Sequence, residues 1–170
     1  MIDHLPDRLD LLATAEAGRL LRGSMPLVRL ERVLPALKSS KGELQIELEL
    51  GKGPDGTRFM AGTIRGAVEL QCQRCLDTMG LPLNLEFRLG IVQDHADAQR
   101  LHESYEPLVV GSEPTVIAEI VADEVLLALP LVPAHADDGR CHEFVKDYQP
   151  PQSAKRENPF AMLAGLKQKP

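Results

Sequence analysis

The sequence predicts an α+β protein. An antiparallel meander sheet of about four to five strands packs against two or three helices, and a flexible C-terminal tail ends in a short helix. Three observations carry this. "ELQIELEL", Glu43 to Leu50, alternates strictly between apolar and polar residues, the period of a strand with one face on a core and one in water. Two further runs keep one apolar parity over a dozen residues each. A later stretch, "EPTVIAEIVADEVLLALP", spaces its aliphatic residues at three and four, the period of a helix.

In chain order, residues 7–17 predict a helix with Leu9, Leu12, Ala13 and Ala17 on one side, and Gly18 and Gly23 interrupt the stretch after it. Leu27, Leu30, Val33, Leu34 and Leu37 recur at helical spacing and predict a short amphipathic helix. Pro35 inside that pattern removes a backbone donor. The strand 43–50 then leads into "GKGPDG", which is dense in turn formers. Met60, Gly62, Ile64, Gly66, Val68, Leu70 and Cys72 share one parity, and Leu81, Leu83, Leu85, Phe87, Leu89 and Ile91 share another. Glycines inside the first run predict bulges or a close backbone approach. Three amphipathic strands in succession make a meander, and "QCQRCL" falls at the tip of its long hairpin.

Residues 93–104 predict a helix or a loose excursion, and "YEPLVV" a short strand. The helix after it has Pro114 in its first turn, and Pro130 stops it. Ile117, Ile120, Val121, Val125 and Ala128 make its buried face, and Asp123 and Glu124 an acidic rim. The predicted organisation is one domain over 1–133, a flexible linker over 134–157, and a helical motif over 158–170. In that motif Asn158 is the N-cap, Pro159 the first helical residue, and Phe160, Leu163 and Leu166 a face for docking on the domain or on a partner.

Composition narrows the function classes. The chain has 170 residues, 44% hydrophobic, with no Trp and three Cys. Its longest apolar runs fall well short of a membrane helix. Its N-terminus has acidic residues where a signal peptide is basic. A cytoplasmic protein with reduced cysteines is expected. The net charge is −6, unevenly spread. Residues 92–147 hold twelve acidic and three basic residues, whereas 19–41 hold Arg19, Arg22, Arg29, Arg32, Lys38 and Lys41 against Glu31 alone. Such asymmetry marks either a nucleic-acid or acidic-partner contact or a solvated face. No GxxxxGK[ST], GxGxxG or GxSxG occurs, and no carboxylate pair or histidine cluster forms an evident acid/base set.

Cys72 and Cys75 are spaced as half of a zinc site. Cys141 is a third candidate ligand, and His135 or His142 the fourth. The competing readings are a reduced, buried pair in a turn and a thioredoxin-like redox pair. The redox pair is disfavoured because these cysteines lie between two strands and not at a helix N-terminus.

"LQCQRCL", the long hairpin around it, "YEPLVV", the helix ending "DEVLLALPLVPAH", a lone cysteine after it, and the terminal "NPFAMLAGLK" together resemble the bacterial YceD proteins, the large ribosomal RNA subunit accumulation proteins. The resemblance is best over residues 60–142 and the last dozen. It implies a non-enzymatic ribosome-biogenesis factor supporting synthesis, processing or stability of 23S ribosomal RNA. Its partner would be ribosomal RNA, a large-subunit assembly intermediate or a ribosomal protein. No cofactor, membrane or small-molecule substrate is implied, and a monomer is expected. Many relatives have a second Cys-x-x-Cys where this chain has only Cys141. If RNA is touched directly, the candidate residues are Arg19, Arg22, Arg29, Arg32, Arg65 and Arg74. The alternative from another class is a small zinc- or thiol-dependent regulatory module.

Overall fold

The computed structural model describes residues 5–136 and Cys141. The predicted linker beyond 136 and the terminal motif with Phe160, Leu163 and Leu166 lie outside the described residues, as does His142. A compact unit runs from Met1 to His135.

Strand β1 (Arg8–Leu9) leads into helix α1 (Leu11–Glu16). Asp10 caps that helix, its side chain accepting from the Ala13 N–H at 2.9 Å. Next come β2 (Leu20–Pro26), β3 (Glu43–Lys52), β4 (Arg58–Gln71) and β5 (Thr78–Val92). A four-residue helix α2 (His95–Ala98), strand β6 (Glu106–Val109), strand β7 (Thr115–Val116) and helix α3 (Ile117–Ala128) complete the unit. The main sheet runs β2-β3-β4-β5-β6, and β1 pairs with β7 in a small second sheet.

The predicted α+β class and the meander are present. Strands β2 to β5 pair antiparallel with nearest neighbours in the sequence. The sheet as a whole is mixed, because β6 pairs parallel with β5. The α2 crossover between them permits that direction, which a tight hairpin would forbid.

One face of the sheet is the core. Leu44, Ile46, Leu48 and Leu50 of β3 are buried while Glu43, Gln45 and Glu49 are exposed, as the alternation requires. Met60, Ile64, Val68 and Leu70 of β4 continue the layer, and Leu83, Leu89 and Ile91 of β5 join it. Each such side chain contributes roughly 1.5–3 kcal/mol by leaving water. Helix α1 packs on β3 and β4, and α3 on β5.

Three local expectations are corrected. The helix expected over 27–37 is instead two 3-10 turns, Leu27–Arg29 and Leu34–Ala36. Pro35 cannot donate within a helix interior, and Leu27, Leu30 and Val33 are fully buried without a continuous helix. Helix α1 buries Leu11 and Ala15 most deeply; of the expected side, Leu9 and Leu12 are partly buried against the core, while Ala13 and Ala17 are exposed. In α3 the buried face is Ile117, Ile120, Val121, Ala122 and Val125, while Ala128 is exposed at the last turn. Pro114 precedes β7 rather than opening this helix.

The expected close approach in β4 is present at Gly62. Its register partner is Phe87, whose ring lies over the glycine. A Cβ at Gly62 would fall 2.1 Å from Phe87 Cζ. The absent side chain is what makes room for the ring.

Candidate functional site

The hairpin β4–β5 is longer than the sheet it belongs to. Its neighbour β3 pairs with it only as far as Arg65, while the hairpin's own pairing continues to Gln71↔Thr78. Residues 72–77 make the turn at the free end. The Cys72 N–H donates to the Asp77 carbonyl at 2.9 Å, and the Leu76 N–H donates to the Cys72 carbonyl at 2.9 Å. The Gln71 side-chain amide also donates to the Leu76 carbonyl at 3.0 Å. Leu76 takes a positive φ of 64°, which lets the chain double back after the second cysteine.

Those turns aim the two sulfurs inward together. Cys72 continues the inward parity of β4 and is fully buried, while Cys75 is half-buried. The Arg74 N–H donates to Cys72 Sγ at 3.4 Å. The segment after α3 passes beside this turn and is fastened there: the Gln73 N–H donates to the Pro133 carbonyl at 2.7 Å. Two residues on, His135 Nδ1 lies 3.4 Å from Cys75 Sγ. The ligand atoms of Cys72, Cys75 and His135 lie within 4.8 Å of one another, donors able to hold a metal ion; Cys141, the remaining candidate ligand, belongs to the second compact unit, residues 136–170. Of the two candidate histidines, His135 is the one placed beside Cys75, and His142 lies outside the described residues.

The candidate arginines fall in several places. Arg22 on β2 and Arg65 on β4 border one shallow depression of about 150 Å³ with Gln45, Glu47 and Thr63. Arg22 is bound to Glu47 at 2.8 Å, and Arg65 donates to the Asn84 side chain at 3.2 Å. The Arg22 hydrogen bond holds the Glu47 carboxyl below its ordinary range. Arg29 pairs with Asp7 at 2.6 Å, and Arg32 pairs with Asp123 on α3. Arg19 is exposed ahead of β2, and Arg74 is exposed on the cysteine turn. On the acidic rim, burial pushes the Glu124 carboxyl up, and the neighbouring Glu106 and Asp123 add to the shift.

Two features were invisible to sequence reasoning. One is the Gln73–Pro133 bond that brings His135 to the turn, since it joins backbone atoms sixty residues apart. The other is the occupation of Arg29 and Arg32 by carboxylates distant in sequence. Among the described residues no helix is long and apolar enough to cross a membrane.

Comparison with known proteins agrees with these elements. The family model described as large ribosomal RNA subunit accumulation protein YceD matches residues 60–167, which include the whole hairpin end and the candidate ligands Cys72, Cys75, His135 and Cys141. The protein of that name from Haemophilus influenzae is 32% identical over 169 residues, covering 97% of this chain and 97% of its own. No solved structure matches. The chain therefore belongs to the YceD family.

Proposed function

We propose that the protein is a non-enzymatic factor that supports accumulation of the large-subunit ribosomal RNA, the 23S species. It would act in the bacterial cytoplasm by binding a large-subunit assembly intermediate. The observation that carries this is family membership over nearly the whole chain, together with the name of its Haemophilus influenzae relative. The described residues add a surface suited to binding, with shallow depressions on the outer sheet face lined by Arg22, Arg65, Arg88, Glu47, Glu49 and Glu86.

Contact with RNA would run through Arg19, Arg22, Arg29, Arg32, Arg65 and Arg74. A specific observation favours a second mode, in which the acidic surface receives a basic ribosomal protein. Arg22, Arg29 and Arg32 already hold Glu47, Asp7 and Asp123. Phosphate would have to displace those carboxylates, and exposed pairs are weak enough for that exchange, at about 0–1 kcal/mol each.

Two measurements test the reading. Cells lacking the protein should show a reduced ratio of large to small ribosomal subunits, restored by the intact chain; an unchanged ratio sinks the proposal. Binding to 23S RNA should weaken with rising salt and with Arg65→Ala and Arg74→Ala if the arginines meet phosphate. Binding indifferent to both changes assigns the contact to protein instead.

A further inference from the structure

We propose that the C-terminal end of α3 and the groove beside it dock an amphipathic helix of a basic partner protein. The proposal rests on the second mode above, in which an acidic surface receives a basic ribosomal protein, and it names where that partner sits.

Three large aliphatic side chains stand in water within six residues of chain. Leu127 is 76% exposed, Val132 70%, and Leu131 fully. They are half of the six large hydrophobics that the described residues expose, so the exposure is gathered here and not scattered. Single exposed leucines are ordinary, whereas a gathered set marks an interaction surface.

The helix explains the first of them. Glu119, Asp123 and Leu127 recur at intervals of four on α3 and all three are exposed, while Ile117, Val121 and Val125 face the core. Leu129 is then extended, and Pro130 has no N–H with which to continue the helix. Leu131 and Val132 therefore leave α3 on an extended segment, with their side chains in solvent.

Beside them is a groove of about 320 Å³. Leu131 lines it together with Pro35, Leu37, Leu70, Leu129 and Pro133, so the exposed set and the groove are continuous. Backbone bonds fix both walls. The Lys38 N–H donates to the Glu69 carbonyl at 2.7 Å, and the Gln73 N–H donates to the Pro133 carbonyl at 2.7 Å. A groove already formed takes apolar anchors without the cost of ordering its walls.

Charge selects the occupant. Helix α3 carries Glu119, Asp123 and Glu124 and no basic residue. Arg32 holds Asp123, but among the described residues no ion pair reaches Glu119 or Glu124. Burial first, and then Glu106 and Asp123, push the Glu124 carboxyl up, so a cation brought there is favoured. Phosphate would be repelled by the same groups. Lys38 is the one charged residue lining the groove itself, which therefore takes the apolar side of the partner while α3 takes the basic side. An exposed ridge with a spacing of four packs against another helix, which makes a helix the fitting shape.

The test uses the full chain and a labelled synthetic helix with leucines on one side and lysines on the other. Fluorescence anisotropy should show binding that weakens with salt. The same helix with glutamate for lysine should bind at least about tenfold more weakly. Leu127→Ser with Leu131→Ser, both at exposed positions, should cost at least about tenfold while circular dichroism stays that of the wild type. Glu119→Gln with Glu124→Gln should cost about two- to fivefold. Equal binding by wild type and the leucine double variant overturns the proposal, as does equal binding of the glutamate helix. Competition by 23S RNA for the peptide assigns the face to RNA and overturns it too. A wild-type dimer that Leu131→Ser makes monomeric means that a second copy is the occupant. Peptide binding at least about tenfold tighter in Phe160→Ser with Leu163→Ser means that the chain's own terminal motif is. Either result overturns the proposal. In cells lacking the protein, the leucine double variant should fail to restore the subunit ratio that the intact chain restores. Full restoration by that variant overturns this docking surface and leaves the ribosomal reading standing. An unchanged ratio in cells lacking the protein sinks the ribosomal reading instead, and the peptide measurements still decide the surface.

Discussion

The two halves of the β4–β5 hairpin hold together by different means. From Phe59 to Arg65 the strand β4 lies between β3 and β5, and its inward residues Met60 and Ile64 are fully buried. Beyond Arg65 the pairing with β3 ends. The outer half keeps Val68 and Leu70 buried in the core, and single bonds to passing segments take the place of the ladder to β3, from Lys38 N–H to the Glu69 carbonyl at 2.7 Å and from Gln73 to Pro133. Both halves bury apolar residues; the inner half has a strand ladder on each side of β4, whereas the outer half has one ladder and a few directional contacts. A hairpin end that outruns its sheet must find such contacts or fray.

The largest expected effect is in the inner half. Ile64→Ala removes a fully buried side chain from the centre of the sheet and should destabilise by about 2–5 kcal/mol in chemical denaturation. A loss below about 1 kcal/mol would mean that this half is not the stable one. Next is Gly62→Ala, whose new methyl would meet the Phe87 ring. It should cost about 1–3 kcal/mol, and much less when combined with Phe87→Leu. Equal cost in both backgrounds would show that the ring is not the obstacle.

Smaller effects are expected at the hairpin end. Leu76 carries a positive φ, and its side chain is 63% exposed, so Leu76→Gly relieves strain and gives up little burial. Stability should rise by about 0.5–1 kcal/mol, read as a higher denaturant midpoint at unchanged slope. A fall would mean that the Leu76 side chain has a partner at the tip.

The smallest is at the opposite end of the sheet. Hydrogen bonds from Lys52 and then Arg58 hold the Glu16 carboxyl below its ordinary range. A depressed carboxylate stabilises the fold above its unfolded pKa, and that contribution is lost as pH falls through the folded value. Glu16→Gln should therefore lower the melting temperature slightly at neutral pH. The difference from wild type should vanish in acid and shrink in salt. A difference that persists in strong acid, below about pH 3, would place its cause outside this ion triad.

Much of this was legible in the linear pattern. The alternation in Glu43–Leu50 and in the two runs flanking the cysteines marked β3, β4 and β5, because a half-buried sheet face imposes a period of two on any chain that forms it. The glycine at 62 signalled a close approach, and the cysteine spacing signalled half of a ligand set. The 27–37 segment misled, because its aliphatic spacing fits a helix while buried 3-10 turns around Pro35 satisfy the same positions.

What the sequence by itself determined is therefore local: which residues alternate, where turns fall, and that Cys72 would face inward. Only the tertiary structure decided that β6 runs parallel to β5, that Arg29 and Arg32 meet Asp7 and Asp123, and that His135 arrives beside Cys75. The physical reason is range. Strand period and turn chemistry are written in neighbouring residues. The histidine's place depends on α3 packing against β5 and on one backbone bond between Gln73 and Pro133, and no spacing along the chain encodes either.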